Sequence, residues 1–372
     1  MKIVFLASTE RWGGAERWLV TVARGASARG HSAAVAATPG SPLERDAGAA
    51  GLPTIPFGFG RKLSRRTAAG AALRWRSDGR RADRFAREMR SKGWDVLCVQ
   101  FKRDQLLATA AARRAGLAAV WCEHGPLPRP FGRAPLRLAY AHAARAAERI
   151  LAVSRATAAA IEAAGVPAGK IRVVRSGVNP HAFDAVPADR AALGLDAADL
   201  VVGCFGRLTE AKGIETLLEA WSALEIPRGR LLVAGDGPLA DRVASAPRAR
   251  YLGRRDDMPA LMAACDIVVV PSREPEGIPL ALLEAMAAGR AIVATDAGGT
   301  AEALEDTGAL VRPGDAGALA AAIAALAADA GRRASLGAAA RARARVAFTE
   351  DRMIEETLSV FAEALDERRA RS

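Results

Sequence analysis

The sequence has little of what disulfide scaffolds, metal centres and membrane spans require. Only four cysteines occur in 372 residues, and Cys98, Cys122, Cys204 and Cys265 stand in or beside apolar strand-like runs without paired metal spacing. We therefore expect four reduced thiols in the core. No window approaches the roughly 18 apolar residues of a membrane span. The apolar stretch of about six residues before Glu10 is too short for a signal peptide, so a cytoplasmic location is expected.

Charge is spread unevenly along the chain, although the overall net charge is +12. Residues 1–178 carry 31 basic and 12 acidic side chains, whereas residues 179–372 carry 22 and 29. A chain of 372 residues is too long for one ordinary core. We therefore expect two domains, of which the first and more basic one meets something anionic.

The positive excess is concentrated in residues 61–90, where 11 basic side chains stand against three acidic ones. One interpretation is a solvated helix face. The other is a surface for an anionic acceptor or for acidic lipid headgroups, to which each nearby Lys or Arg contributes about 1 kcal/mol. Nucleic acid fits poorly, since the sequence has no zinc spacing, RNA-binding aromatic signature or recognisable helix-turn-helix. The residues that we assign to this surface are Arg61, Lys62, Arg65, Arg66, Arg74 and Arg76.

Two features of the first half suit a ligand-binding edge of a parallel sheet. An apolar run over residues 2–7 passes through Gly13 and Gly14 into a helical pattern, and glycines there let backbone amides approach an anion. A tight turn explains the glycines equally well. A later run ends at His124, where open α/β folds bind ligands. A lone histidine, however, is more often structural.

The most informative stretch is residues 266–302. Asp266 opens an apolar run that predicts a buried parallel strand. A polar loop then leads into a predicted helix with Pro279 at its first position, where the missing N–H costs nothing. The amides of Leu280 and Ala281 would be free donors at a positive helix end, which favours phosphate.

Two carboxylates and two cations complete this candidate site. Glu276 precedes the helix and Glu284 lies inside it, so the pair can reach opposite ends of one phosphate-bearing ligand. Their spacing alone allows equally a helix cap and a surface charge. Arg207 and Lys212 stand between an earlier predicted strand and its helix. Two fixed cations there can hold a phosphate-bearing ligand.

These residues together resemble glycosyltransferase family 4, a family of retaining enzymes with the GT-B fold. The resemblance is strong in the second half of the chain and looser in the first. Pro279 replaces a glycine that is common in the family. The matching segments are Glu276-Gly277-Ile278-Pro279-Leu280 with Glu284-Ala285-Met286-Ala287 for the E-x7-E signature, Gly206-Arg207-Leu208 with Lys212-Gly213, and Ser176-Gly177-Val178-Asn179-Pro180 for the interdomain segment.

The resemblance implies an α/β protein of two Rossmann-like domains with a deep cleft between them. Residues 1–178 would bind the acceptor, residues 179–349 would bind the nucleotide sugar, and residues 350–372 would return to the first domain as a helix. The donor is a nucleotide-diphosphate sugar, with no cofactor and no metal. The implied catalytic residues are Glu276, His124, Arg207 and Lys212. The implied donor contacts are Gly13, Gly14, Arg207, Lys212, Arg254, Gly277, Ile278, Leu280 and Glu284.

The expected function is transfer of a sugar to an acceptor hydroxyl with retention, the leaving phosphate helping to deprotonate the acceptor. The base, the sugar and the acceptor stay open. The basic first half favours an anionic or lipid-linked acceptor, such as an envelope glycolipid, and contact with the inner face of the cell membrane. The alternatives are a GT-B nucleotide-sugar epimerase, a phosphorylase, and a catalytically silent GT-B protein that binds a membrane or a partner.

Overall fold

A computed structural model gives the fold of the chain. It describes residues 1–10, 12–59, 68–128, 131 and 133–371, without the side chains of residues 68–74. The chain divides into two compact units. Unit 1 comprises Met1–Arg175 and Met353–Ser372, and unit 2 comprises Ser176–Arg352. The boundaries expected after residues 178 and 349 each lie three residues from these divisions.

Unit 1 is built on a sheet of seven parallel strands, as far as the chain is described, in the order β3-β2-β1-β4-β5-β6-β7. The strands are β1 Lys2–Ala7, β2 Ser32–Ala37, β3 Thr54–Pro56, β4 Val96–Val99, β5 Ala118–Glu123, β6 Arg149–Ala152 and β7 Ile171–Val173. The helices are α1 Gly14–Ala28, α2 Pro42–Ala49, α3 Ala68–Ser91, α4 Lys102–Ala115, α5 Leu136–Ala144 and α6 Arg155–Ala163.

Side chains of the unit 1 sheet alternate between two covered faces. In β4, Val96 and Cys98 join the apolar cluster that contains α1, whereas Leu97 and Val99 join the cluster that contains α3 and α4. This is the two-residue period of a strand. Because both faces are covered, the strands are apolar along their length rather than alternating. The same period determines on which face of the sheet the side chain of a residue at a strand end lies.

Unit 2 repeats this arrangement with six parallel strands, in the order β10-β9-β8-β11-β12-β13. Both orders follow the Rossmann pattern, so the prediction of two α/β domains is confirmed. The strands are β8 Leu200–Phe205, β9 Gly229–Ala234, β10 Ala249–Tyr251, β11 Ile267–Val270, β12 Ala291–Thr295 and β13 Ala309–Val311. The helices are α7 Ile214–Ser222, α8 Ala240–Ala244, α9 Met258–Ala264, α10 Leu280–Ala287, α11 Thr300–Leu304, α12 Ala316–Ala328 and α13 Ala330–Ala347.

The last helix, α14 Glu350–Ala370, belongs for most of its length to unit 1. Phe361 packs against Phe5 of β1 with ring centroids 5.9 Å apart. Arg149 of β6 donates to Glu363 at 3.1 Å. The closing helix is therefore a structural part of unit 1, to which it adds both apolar and ionic contacts.

The cysteines, the lack of a membrane span and the basic surface are the features that were predicted from composition. The four cysteines are buried and free, as expected. Within the described ranges, no helix is both long and apolar enough to cross a membrane. Of the predicted basic surface, Arg61, Lys62, Arg65 and Arg66 lie outside the described residues, as does the side chain of Arg74. Arg76 is exposed on α3.

Candidate active site

Three loops meet at the carboxyl edge of the unit 2 sheet, beyond the neighbouring strands β8, β11 and β12. The Arg273 amide donates to the Ala211 carbonyl at 2.9 Å, which joins the loop after β11 to the loop after β8. Glu276 forms an isolated parallel bridge with Gly298, and the Gly299 amide donates to the Glu276 carbonyl at 3.1 Å. The loop after β12 is thereby held against the same place.

Glycine is required at two contacts between these loops. Gly298 has a φ of +72°, and a Cβ there would lie 2.0 Å from the Glu276 carbonyl oxygen. Gly213 also has a φ of +72°, and a Cβ there would lie 1.7 Å from the Pro271 carbonyl oxygen. Any side chain at either position would force the backbones apart. The close approach positions Lys212 beside Glu276.

The centre of the site is a carboxylate that uses both of its oxygens. The Lys212 ammonium contacts Glu276 Oε2, and the Ser272 hydroxyl donates to Oε1. The Lys212 and Glu276 side chains remain 24% and 23% exposed, so a ligand can reach the pair. Ser272 is buried, and its carbonyl accepts from the Thr295 hydroxyl at 2.6 Å. Ser272 was not predicted from the sequence, although a serine two residues after a buried strand and four residues before Glu276 was an available signal.

Helix α10 begins one residue later than predicted. Pro279 has an extended ψ of 128° and precedes the helix, whose first residue is Leu280. The prediction of Pro279 as the first helical residue is therefore wrong. The reason is that its carbonyl already accepts from the Leu282 amide at 3.1 Å, as the carbonyl of a capping residue does. The amides of Leu280 and Ala281 precede this first helical bond, so the positive helix end lies just beyond the Glu276 loop.

Glu284 is buried on α10, with only 3% of its surface exposed. The alternative that it is merely a surface charge is therefore wrong. Gly277 and Ile278 are also buried, and Ile278 packs in the apolar core of unit 2. Leu280 is partly buried against the same core. Any ligand contact of Ile278 would thus come from its backbone.

The predicted cations of unit 2 do not all lie at one point. Arg207 is exposed in the loop directly after β8, the same loop that carries Lys212. Arg254 follows β10, which is separated from β8 by β9. It is exposed, and its guanidinium lies 3.8 Å from Asp256. The structure therefore brings Lys212 and Glu276 into contact, whereas Arg254 stands at the far edge of the sheet.

The corresponding edge of unit 1 carries the other predicted site residues. Gly13 precedes α1 and Gly14 is its first residue, close beyond β1. His124 follows β5 directly, and its ring packs edge-on against Trp18 with centroids 5.2 Å apart. Burial lowers the pKa of His124 to about 3, and the charge of Lys102 acts in the same direction. The imidazole is therefore neutral near pH 7. Contact of these residues with a donor stays a prediction.

A buried ionic cluster, which was not predicted from the sequence, lies behind this edge. Lys102 contacts Glu123, and their side chains are 16% and 3% exposed. The Tyr140 hydroxyl and the Gln105 amide donate to Glu123 Oε1 at 2.8 and 2.9 Å. Burial lowers the pKa of Lys102, while the charge of Glu123 opposes that shift. The available signal was a lysine opening the helix after β4 and an acid ending β5.

Sequence models of known families match both units of the chain. The sequence model described as Glycosyltransferase Family 4 matches residues 12–182, and the one described as Glycosyl transferases group 1 matches residues 199–329. This chain belongs to glycosyltransferase family 4. The resemblance inferred from the E-x7-E segment is therefore confirmed, and the two models cover both units.

Curated members of the family match the chain only in part. D-inositol 3-phosphate glycosyltransferase of Salinispora tropica is 34% identical over 232 residues, which are 54% of this chain and 48% of that protein. Lipopolysaccharide core biosynthesis mannosyltransferase LpsB of Rhizobium meliloti is 34% identical over 197 residues, or 48% of this chain and 56% of its own. The chain thus matches about half the length of these family 4 relatives.

Solved structures cover nearly the whole chain. The Anabaena protein Alr3699/HepE in complex with UDP-glucose is 26% identical, with a TM-score of 0.79 over 96% of this chain and 99% of that one. Sucrose-phosphate synthase from Thermosynechococcus elongatus shares the fold at 21% identity, with a TM-score of 0.79 over 99% and 100%. The predicted GT-B fold of two Rossmann-like sheets is confirmed for this family 4 member.

Among the residues that the structure describes, no group of three or more His, Cys, Asp or Glu side chains is arranged to hold a metal ion. The cations in contact range of the site are instead side chains. The expectation that catalysis needs no metal or other cofactor stays a prediction.

Proposed function

We propose that this protein transfers a sugar from a nucleotide-diphosphate sugar to an acceptor hydroxyl, with retention at the anomeric carbon and without a metal ion. The observation that carries the proposal is the Lys212–Glu276 pair, held by Ser272 beside the start of α10. An ammonium, a carboxylate and a positive helix end at one sheet edge suit a ligand that is anionic at one end and becomes cationic at the other.

The leaving group sets the role of the cations. When the sugar–phosphate bond breaks, the diphosphate gains negative charge, which Lys212, Arg207 and the amides at the start of α10 stabilise. An ammonium has three N–H donors, so Lys212 can contact Glu276 and a phosphate together. Because these groups are placed before the reaction, little reorganisation accompanies the charge development.

The sugar sets the role of the carboxylates. Glu276 stabilises the oxocarbenium-like ring as its positive charge develops, and Glu284 binds the ribose hydroxyls. The acceptor attacks from the face that the diphosphate leaves, and its proton passes to the leaving phosphate. No separate protein base is then needed. Ser272 keeps Glu276 in a single orientation for this work.

The relatives support a narrower choice of substrates. The Anabaena structures are complexes with UDP, with UDP and glucose, and with UDP-glucose, at 26–27% identity. We therefore propose a uridine diphosphate sugar as donor. The name of one curated relative, an inositol 3-phosphate glycosyltransferase, supports an acceptor that carries phosphate. The name of another, a lipopolysaccharide core mannosyltransferase, supports a lipid-linked acceptor of the cell envelope.

A thermal-shift screen tests the donor. UDP-glucose, GDP-mannose and ADP-glucose are added separately, and a ligand at about 100 times its dissociation constant should add roughly 2.7 kcal/mol of stability. The donor that binds is then incubated with acceptors, and NMR of the product gives the anomeric configuration. Turnover in EDTA tests metal independence. An inverted product would overturn the proposed mechanism, and binding of none of the three donors would overturn the proposed function.

The same assay separates the enzyme alternatives. A transferase releases free nucleoside diphosphate and forms a new glycoside only when an acceptor is added. An epimerase converts the nucleotide sugar without an acceptor and releases no diphosphate. A silent binding protein does neither, although it can still bind the donor.

We also propose that the basic stretch of unit 1 lies on the acidic inner face of the cell membrane. The support is on α3, where Trp75 is 42% exposed and Arg76 and Arg80 are exposed beside it. Co-sedimentation with vesicles that contain phosphatidylserine should fall in Arg76→Gln/Arg80→Gln and stay unchanged in the control Arg242→Gln/Arg332→Gln. Equal binding to neutral vesicles would contradict an electrostatic contact.

A further inference from the structure

Several side chains at the carboxyl edge of unit 1 have buried polar atoms without a hydrogen-bond partner among the described residues. Three of these side chains are uncharged, and their atoms are Trp18 Nε1, both amide atoms of Gln100, and His124 Nε2. A further such atom is Asp104 Oδ1, at the start of α4. Trp18 and Gln100 are only 3% and 5% exposed. Leaving a buried polar group unpaired costs about 1–3 kcal/mol, and folded proteins contain few such groups. Their accumulation in one place therefore calls for a functional explanation.

The three side chains lie on the same face of the sheet. Gln100 follows β4 and His124 follows the neighbouring β5. In the two-residue period, Gln100 continues the row of Cys98, and His124 continues the row of Cys122. Both rows belong to the apolar cluster that contains Trp18, and the Trp18 and His124 rings are in contact. The strand period thus assigns Gln100 to the face of the sheet on which Trp18 and His124 are in contact.

The unpaired atoms specify the chemistry of the missing partner. The Trp18 indole and the Gln100 amide nitrogen donate, while the Gln100 amide oxygen accepts, and His124 Nε2 does either according to its tautomer. None of the three is charged, and Lys102 is already paired with Glu123.

The Asp104 carboxyl accepts from the Ser8 amide at 2.7 Å through one oxygen, and its other oxygen can accept from a hydroxyl but not from an ionised phosphate. A hydroxyl donates and accepts, so several hydroxyls can satisfy every atom. A fully ionised phosphate only accepts, and would leave the Gln100 oxygen unpaired.

We propose that Trp18, Gln100 and His124 bind a neutral, hydroxyl-rich ring, and that Trp18 and Gln100 determine specificity for it. The ring is either the transferred sugar or the reacting end of the acceptor. The inference rests on the proposed glycosyl transfer and adds Trp18 and Gln100 to the residues predicted for the site. Any phosphate or lipid on the acceptor then binds outside this pocket.

Two variants remove the unpaired atoms while keeping most of the volume. Gln100→Met and Trp18→Phe should each raise the KM for one sugar substrate about tenfold, the effect of one lost hydrogen bond of roughly 1.4 kcal/mol. The ligand-free Tm should not fall in Gln100→Met, which replaces an unsatisfied polar group by an apolar one of similar size. In Trp18→Phe it should fall only by the effect of the smaller ring, since no satisfied hydrogen bond is lost. An unchanged KM in both variants would overturn the proposal. If Gln100→Met does not fold, Gln100→Asn, which retracts the amide, takes its place.

Trp221→Phe is a matched control. Trp221 is buried in unit 2, and its indole N–H donates to the Pro247 carbonyl at 2.9 Å. Because a satisfied hydrogen bond is lost as well as ring volume, Trp221→Phe should lower Tm more than Trp18→Phe does, and it should leave KM unchanged. If both tryptophan variants lower Tm equally with no change in KM, Trp18 has a packing role only and the proposal fails.

The substrate that the variants bind more weakly shows whether the ring is the transferred sugar or part of the acceptor. For the transferred sugar, Gln100→Met weakens binding of UDP-glucose but not of UDP. For the acceptor, only the acceptor KM rises, and by the same factor for myo-inositol and inositol 3-phosphate if both are used. If wild type binds no nucleotide sugar, glycosyl transfer itself fails. Calorimetry with glucose, mannose and myo-inositol then tests the pocket separately: wild-type binding that Gln100→Met weakens supports it, and no binding overturns it.

Discussion

The two units have sheets that share one order over six strands, but the chemistry at their carboxyl edges is opposite. In unit 2, Lys212 and Glu276 are charged, paired and about one quarter exposed. In unit 1, Trp18 and Gln100 are neutral, buried and unpaired at their polar atoms. An exposed ion pair keeps its charges available to an anion, whereas buried unpaired dipoles are satisfied only by a ligand that both donates and accepts. One topology thus supports two modes of recognition through a few residues at strand ends.

The ionic pair in unit 2 has the largest predicted effect. Glu276→Ala and Lys212→Ala should each lower turnover by roughly two to three orders of magnitude, since each removes a preorganised charge from the transition state. The measurement is kcat with the donor found by thermal shift, and circular dichroism checks that the fold is retained.

The control for this prediction is Asp196→Asn. This variant breaks an exposed ion pair, in which the side chains of Asp196 and Arg228 are 72% and 54% exposed. The free energy of unfolding should therefore fall by less than about 1 kcal/mol, and kcat should stay near the wild-type value. Near-normal kcat values in both Glu276→Ala and Lys212→Ala would contradict the proposed catalytic role of this pair in unit 2.

The buried ionic cluster of unit 1 has the next largest effect, on stability. Lys102→Met leaves the Glu123 carboxylate buried without its cation and should cost about 3 kcal/mol of unfolding free energy. Lys92→Met breaks an exposed pair with Glu88 and should cost less than 1 kcal/mol, or about nothing. Urea denaturation measures both, and equal losses would show that the Lys102 pair is no more buried in solution than the exposed one.

The glycine contact of unit 2 comes third. Gly298→Ala should destabilise by about 1–3 kcal/mol and lower turnover, because its Cβ would lie 2.0 Å from the Glu276 carbonyl oxygen. Gly314→Ala is the control. Gly314 has a similar φ, +79°, but the atom nearest to a Cβ at this position is Arg273 Nε, at 3.8 Å. The control therefore has the backbone strain without the clash. Turnover that falls equally in the two variants would contradict a specific role for the Glu276 loop.

The smallest expected effect is an absence of titration. Burial first, and then the charge of Lys102, lower the pKa of His124 to about 3. Its NMR resonances should therefore not shift between pH 5 and pH 8. Because the folded-state pKa lies below the ordinary 6.5, the unfolded chain binds the proton first, and this group makes stability rise with pH from about 3 to about 6.5. A midpoint near 6.5 would mean that the unit 1 edge is solvated.

Much of this architecture could be predicted from local patterns. The apolar runs predict the strands because a parallel sheet covered on both faces needs continuous apolar segments, as in Ile267–Val270. The spacing of Glu276 and Glu284, with Lys212 after another strand, indicates one ligand edge because carboxyl ends of parallel strands meet there. The start of α10 differs from the prediction by one residue. Proline lacks an N–H and so suits the first helical position, but this says nothing of its carbonyl, and the Pro279 carbonyl accepts the first helical hydrogen bond as that of a capping residue does.

Local patterns thus established the fold class, the family and the charged half of the site, since each depends on residues near one another along the chain. Contacts across long separations required the folded chain. The pairing of Lys212 with Glu276, which the sequence placed only at a common edge, depends on glycine contacts between three loops. The assembly of Trp18, Gln100 and His124 depends on strand order and on the face that each strand residue addresses. Both follow from long-range register, which no short stretch of sequence encodes.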